Sequence, residues 1–532
     1  MQTLLYDVRG VEYMAIYDTT EQHTPLRKDL SHLRPPPPRL TDKRDIFVGV
    51  ASYRDGFKCG FALWTAYSRA VHPENVFFGV VDQTLDDDIA CVDAYCVRAL
   101  ETWPNEPCKF KSQITIDVRS AATSKGPTLA RAQLHALLGD QEFGMMVDAH
   151  VQFTRHWDTL VIAEWAATNN EMAVLSNYPF GYNHLSANAT FDGDYGSHVC
   201  NYKPRVAANA VIYYSGILIS QNFERPLLSV AWAGGFSFGK SHAWRRAPVD
   251  PYMNWVFYGE EVLHAFQLWT RGYDLYSPSR HGNVVFHNWT DDGHKHRFTD
   301  NVTRLVTQAE HDREETVAYN RLRLMFQQSF TGDVDAREIH TYGSGRVRSR
   351  EQFFAFVNIS TTDADEDFAA CNQLHFVPYA DPTELEALLP GWRFGDASEN
   401  DDNLKLHNLR GILKDTESEI LELQRVIDAA HHKQAAGFHE TVDDELETQE
   451  LAMLREMQQT LQKAVERNSH VVDGLGLRLR QIPAPSNPYA LVLWVLLIGM
   501  IGVFGLWRYL GTERKRRSAT YTKLDTMPEQ LA

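Results

Sequence analysis

The chain has 532 residues, 44% hydrophobic and 11% aromatic, which is too long for one compact domain and apolar enough to bury a large core. Its formal net charge is -17. That excess of acid excludes general binding to a phosphate backbone, so nucleic acid is not an expected partner, while a local basic pocket for one diphosphate stays compatible with it.

Residues 1–44 read as a peripheral lead-in. Acids interrupt every apolar stretch of MQTLLYDVRGVEYMAIYDTTEQ, so no signal peptide is expected there, and Pro35-Pro36-Pro37-Pro38 reads as a stiff spacer. From Asp45 on, short apolar runs alternate with helical patterns. IFVGVA (46–51), NVFFGVV (75–81), QITIDV (113–118) and GMMVD (144–148) predict strands. Helices are predicted around 60–71, 86–100 and 128–138. Such alternation implies crossover connections, an α/β class and a mostly parallel sheet, whose ligands bind at the carboxyl ends of the strands. Polar clusters fall at those ends: Ser52 to Asp55, Asp82, Asp117 to Arg119, and Asp148 to His150.

The catalytic core extends to about residue 330, with further strands predicted at VIYYSGILIS (211–220) and NVVFHNW (283–289). Residues 331–398 read as its extension, without a role of their own. Between 399 and 480, Leu406, Leu409, Leu413, Thr416, Ile420, Leu423 and Ile427 recur at three- and four-residue steps, resumed by Leu451, Leu454, Leu461 and Val465. This heptad seam predicts a helical hairpin broken near Gly437, or pairing with a second copy as a homodimer. Tyr489 to Trp507 is a 19-residue run without charge, long enough to span a bilayer, and a basic tail (508–532) follows.

Six cysteines, Cys59, Cys91, Cys96, Cys108, Cys200 and Cys371, include no C-x-x-C pair, which excludes a paired-thiolate zinc site. They read as reduced, buried thiols, with disulfides the alternative if the domain is lumenal.

Chemistry concentrates in four places. Asp148-Ala149-His150 ends an apolar strand, where alternate residues can aim a carboxylate and an imidazole at one point. That pair suits a divalent cation such as manganese, although D-x-H alone is a weak signal and a capping aspartate is the plain alternative. Trp232-Ala233-Gly234-Gly235-Phe236 sets two glycines among bulky residues, which lets backbone approach a ligand closely. Gly259-Glu260-Glu261 opens a helical stretch, where carboxylates also simply favour the helix N-terminus. His287 sits in the last predicted strand.

The order of these elements resembles glycosyltransferases of the GT-A fold, in particular the polypeptide GalNAc-transferases. It is most similar to the hydroxyproline-directed and mucin-type N-acetylglucosaminyltransferases of protists. The matching stretches are IFVGVASYRDGFKCGFAL, SKGPTLARAQLHALL, MMVDAHVQFTRHWDTLVI, AGGFSFGKSHAWRRAPVDPYM, FYGEEVLHAFQLWTRGYDLYSP and VVFHNW, spanning roughly 45–290, with YGSGRVRSREQFFAFVNIS beyond. The resemblance implies a retaining transfer of N-acetylglucosamine from UDP-GlcNAc to a protein hydroxyl. It assigns the uridine to Ser52, Tyr53, Arg54 and Asp55, the diphosphate to Arg131, and a Mn2+ ion to Asp148, His150 and His287. Gly234 and Gly235 would border the donor sugar, and Glu260 or Glu261 would bind its hydroxyls. His281 competes with His287 as third ligand. No catalytic base is identified.

Two alternatives stand beside this: a transferase using another UDP-sugar, and a noncatalytic membrane-tethered scaffold. A single span near the C-terminus suits a tail anchor in an ER or Golgi-type membrane with a cytosolic catalytic domain, the placement favoured here. Arg514-Lys515-Arg516-Arg517 after the span argues for the lumen instead, and would make the sequons at Asn188, Asn288, Asn301 and Asn358 usable.

Overall fold

The structure, a computed structural model, describes residues 2–23, 30, 33–203, 211–214, 216–290, 296–360, 363–389, 392 and 394. The heptad seam, the 489–507 run and the basic tail lie outside the described residues. No helix among the described residues is long and apolar enough to cross a membrane.

The strands in chain order are β1 (Gln2–Val8), β2 (Val11–Tyr17), β3 (Ile46–Tyr53), β4 (Val76–Thr84), β5 (Ile114–Ser120), β6 (Phe143–Asp148), β7 (Val151–Phe153), β8 (Ala173–Ser176), β9 (Tyr195–His198), β10 (Tyr202–Lys203), β11 (Tyr213–Tyr214), β12 (Leu218–Gln221), β13 (Leu227–Ser229), β14 (Phe236–Lys240), β15 (Asp274–Ser277) and β16 (Val285–His287). The helices that carry or frame the site are α1 (Gly56–Arg69), α2 (Cys91–Thr102), α3 (Pro127–Leu134), α4 (Trp157–Ala167), α5 (Ser241–Arg246) and α6 (Glu260–Thr270).

The central sheet has eight strands in the order β13-β15-β8-β14-β6-β3-β4-β5. β6, β3, β4 and β5 run parallel, β15 is parallel to β8, and β13 and β14 run against their neighbours. The result is a mixed, mostly parallel α/β sheet. Its central strands are apolar on both faces because both faces are covered. Ile46, Val48 and Val50 are all sealed from solvent, each worth about 1.5–3 kcal/mol of transfer free energy. The run at 211–220 is not one strand: Gly216, at φ +107, separates β11 from β12, which join different sheets.

The first residues are more than a lead-in. β1 and β2 form a hairpin, and β1 pairs with β12, making a four-stranded sheet β2-β1-β12-β9. Alternation of Leu4, Tyr6 and Val8 against solvent-facing Leu5 gave the strand period, but acids at Asp7 and Glu12 hid it in a search for long apolar runs. The Pro35–Pro38 stretch is laid against the body: Glu171 N–H donates to Pro36 O at 2.8 Å, and Arg39 pairs with Glu171 at 3.0 Å. The 331–398 segment packs on α6, with Phe353 5.2 Å from Phe266 between ring centroids and Arg348 bonded to Asp274 at 2.8 Å.

The reading of reduced thiols is corrected. All six cysteines are paired: Cys59–Cys91, Cys96–Cys108 and Cys200–Cys371. Partners 32, 12 and 171 residues apart come within 4.4–5.3 Å between Cα atoms only once α1 packs on α2 and the chain around Cys200 meets that around Cys371. Sequence spacing cannot disclose such pairings.

Candidate active site

β3, β4 and β6 end in register, with Ala51 beside Asp148 and Ser52 beside Asp82. The chain leaves β6 at Asp148, turns through Ala149 and His150, and enters β7. β16 pairs antiparallel with β7, setting His287 opposite Val151. Asn288 N–H donates to His150 O at 2.9 Å, closing the pairing beside the turn. This short ladder brings a histidine 139 residues downstream onto the triplet. Ligand atoms of Asp148, His150 and His287 lie within 4.8 Å of one another. His287 Nε2 is 3.2 Å from Asp148 Oδ2, and the two imidazole rings meet edge to face at 4.5 Å. His281, the rival ligand, is exposed and pairs with Glu224 at 3.3 Å, away from the cluster.

Asp55, expected to face uridine, has another partner: its Oδ2 lies 3.0 Å from His150 Nδ1 and orients that ring. Burial alone would raise the pKa of Asp148, but the hydrogen bond with His287 and the charge of Arg131 outweigh it and hold the carboxyl well below the usual range.

α3 starts with Pro127 at its first turn, which presets the backbone, and Thr128 and Arg131 lie one turn apart on the same face. Both reach Glu260. Arg131 Nη1 donates to Glu260 Oε1 at 2.8 Å and Thr128 Oγ1 to Oε2 at 2.7 Å, while Arg131 Nη2 reaches Asp148 Oδ1 at 3.1 Å. Gly259, at φ +88, begins α6 in the left-handed region, so Glu260 and Glu261 diverge from its first turn. Glu261 accepts from Gly234 N–H at 3.1 Å and from the Tyr178 hydroxyl. Burial pushes its carboxyl up to about 7. Gly234 lets Arg131 pack against the backbone: a Cβ there would stand 2.3 Å from Arg131 Cζ. At Gly235 a Cβ would meet Asp148 Oδ2 at 3.3 Å.

The other strand-end residues divide. Ser52 is buried next to Asp82, and Tyr53 is half-buried. Arg54, at φ +51, turns away into a two-pronged pair with Asp88 at 2.7 and 2.9 Å, and Leu85 N–H also donates to Asp88 at 2.8 Å. Its guanidinium is thus committed to shaping the loop after β4.

Against known proteins, the family described as Glycosyltransferase (GlcNAc) matches residues 45–107 and 94–363, over half of the chain. The chain belongs to this GlcNAc glycosyltransferase family. No curated protein matches it. Among solved structures it is similar to GalNAc-T7 with UDP, GalNAc and Mn2+, at 12% identity and a TM-score of 0.36, covering 59% of this chain and 57% of that one. It is also similar to a mannosyltransferase from Pyrobaculum calidifontis with GDP-Man and Mn2+, at 15% identity and a TM-score of 0.30, covering 61% and 72%. TarS of S. aureus with UDP-GlcNAc is a third, at 11% identity and a TM-score of 0.30, covering 53% and 73%. The chain thus spans little more than half the length of GalNAc-T7.

In this member of the family the donor set fits a divalent cation. One ionised carboxylate and two imidazoles on converging strands suit a borderline-hard ion such as manganese better than a soft one. Three participants escape sequence reasoning: Thr128, Tyr178 and Asp88. Thr128 was legible in principle, one helical turn before Arg131. Tyr178 follows the end of β8 and Asp88 lies in a loop, so only the fold shows their partners.

Proposed function

We propose that this GlcNAc glycosyltransferase has the GT-A fold and moves N-acetylglucosamine from UDP-GlcNAc to a protein hydroxyl, on hydroxyproline or on Thr/Ser, with retention at the anomeric carbon. The observation that carries the reading is the meeting, at the carboxyl edge of the parallel strands, of the Asp148–His150–His287 cluster with Arg131 and the Glu260–Glu261 pair. A divalent cation held by the three ligands would neutralise negative charge gathering on the departing diphosphate. Arg131 adds a fixed positive charge on the same side, held there by Asp148 and Glu260. Gly234 and Gly235 would border the donor sugar and Glu261 would accept from its hydroxyls, while Glu260, whose two oxygens already accept from Arg131 and Thr128, would hold Arg131 in place. The anomeric carbon–phosphate oxygen bond breaks, the acceptor oxygen bonds to that carbon, and a phosphate oxygen takes the acceptor proton, so no protein base is needed. Anchoring through residues 489–507 rests on the sequence alone.

The test is UDP release and product mass for the purified protein with UDP-GlcNAc, UDP-GalNAc and UDP-galactose, with and without manganese, against peptides bearing hydroxyproline or threonine. Manganese-dependent transfer from UDP-GlcNAc supports the reading. Transfer only from another donor overturns the sugar assignment, and absence of both nucleotide binding and transfer favours a scaffold.

A further inference from the structure

The cysteine pairing and the sequons bear on one question, the compartment of the catalytic domain. All six cysteines, spread from residue 59 to residue 371, are in disulfides. A reducing cytosol does not maintain three structural disulfides in an ordinary mesophilic protein. The basic cluster Arg514–Arg517 after the 489–507 run favours the same side assignment, since such clusters stay cytosolic and leave the preceding domain across the membrane.

The sequons differ in setting. Asn188 is exposed on a turn that the protein fixes without using its side chain: Thr190 N–H donates to Ser186 Oγ at 3.1 Å, Ser186 and Thr190 hydroxyls bond at 2.8 Å, and Arg155 Nε donates to Asn188 O at 2.9 Å. The left-handed residue of that turn is Ala189, at φ +57, so the backbone does not call for asparagine at 188. Asn358 is exposed at the C-terminal end of the helix Arg350–Val357, at φ +56. Asparagine is a favoured residue at such a cap, which accounts for the conformation. Asn288 is half-buried, its Oδ1 accepts from Thr290 N–H at 3.0 Å and from the Thr290 hydroxyl, and it adjoins the ligand His287.

We propose that the catalytic domain faces an oxidising, N-glycosylating compartment, opposite to the cytosolic placement favoured from the sequence, and that Asn188 and Asn358 carry N-linked glycans while Asn288 stays bare. In each modification the asparagine Nδ2 loses one proton and bonds to the anomeric carbon of an oligosaccharide. The sugar–phosphate bond of a polyprenyl-diphosphate-linked donor breaks, and the diphosphate leaves with its lipid. Both asparagines are exposed, so each can carry a glycan without displacing the core.

The experiment uses the full chain carrying N301Q, made in a eukaryotic host with a glycosylating secretory pathway. Amide-linked glycans are removed with a peptide:N-glycanase, sites are mapped by peptide mass, and thiols are alkylated under denaturing conditions without reductant. The expected result is a mobility increase on deglycosylation that shrinks stepwise in N188Q and N358Q, no alkylated cysteine, and an unmodified Asn288 peptide. T190A and S360A, which keep each asparagine, should abolish the same steps. No mobility change overturns the glycan assignment, six alkylated cysteines overturn the compartment, and a glycan at Asn288 in active protein overturns the site selection. These readouts do not depend on which sugar the enzyme transfers.

Discussion

Arg131 and Glu260 form an ion pair at 2.8 Å in which the carboxylate is almost wholly buried, and the same guanidinium holds Asp148 at 3.1 Å. Removing it strands the buried carboxylate of Glu260 and takes one partner from the half-buried Asp148. R131A is expected to cost about 3–5 kcal/mol of stability, the usual penalty for breaking a buried pair. It should also lower kcat/KM by about 100- to 1000-fold, as loss of a fixed charge-stabilising donor does. R131K keeps the charge but not the two-sided reach and should fall between. Chemical denaturation and steady-state UDP release measure the two effects separately.

Gly234 offers a way to move Arg131 without removing it. The added Cβ of G234A would stand 2.3 Å from Arg131 Cζ, so the guanidinium must shift off its two partners. Arginine is flexible, so the fold should survive while kcat/KM drops at least about tenfold, the range for misplacing a positioned group. G235A, whose Cβ meets Asp148 Oδ2 at 3.3 Å, should be milder. Equal activity of G234A and wild type would refute the close approach.

Manganese should stabilise the folded protein by about 2.7 kcal/mol at a hundredfold excess over its Kd. D148N and H287A should lose that stabilisation, and H281A should retain it, because His281 pairs with Glu224 away from the cluster. Thermal melting across a manganese titration distinguishes the two histidines.

Glu261 gives the stability a pH signature. Burial raises its pKa from 4.5 to about 7, so between those values the folded chain keeps a proton that the unfolded chain has released. Stability from this group is therefore lost as pH rises from 4.5 through 7 and is constant above. E261Q cannot titrate, so its melting temperature should decline less over that window than that of wild type. Parallel slopes would remove Glu261 from the account.

Reduction should loosen the β3–β4 end of the sheet. Cys59–Cys91 joins α1 to α2, the helices that follow β3 and β4, beside the Arg54–Asp88 pair. Each disulfide lost should cost about 2–4 kcal/mol. Melting with and without dithiothreitol, followed by UDP binding below the melting range, tests both the stability and the local effect.

Much of the site was readable because strand ends are local. GMMVD ending at Asp148 and the Gly-Glu-Glu opening of α6 each declare themselves within a few residues, and the parallel sheet follows from the alternation between 46 and 148. His287 is distinguished from His281 in the same way: β16 ends on it beside Asp148 and His150, while His281 faces Glu224. What stayed hidden depends on long-range packing. Asp55 turns to His150 and Arg54 to Asp88 because of where α1 and the loop after β4 come to rest, and the partners of all six cysteines are set by helix and loop packing. The hairpin β1–β2 is masked locally by Asp7 and Glu12, and its pairing with β12 joins residues about 200 apart.

That hairpin decides where an expression fragment can begin. Starting at Asp45, where the apolar alternation starts, would strip β12 of its neighbour, uncover Phe223 and Cys200, and delete the hydrogen bond from the Tyr17 hydroxyl to Cys371 O at 2.9 Å. A fragment cut near residue 330 would leave Cys200 without its partner. Among the described residues, a piece that respects these ties runs from the first strand past Phe394, so its ends are set by a sheet at one side and by core packing beyond the Cys200–Cys371 disulfide at the other.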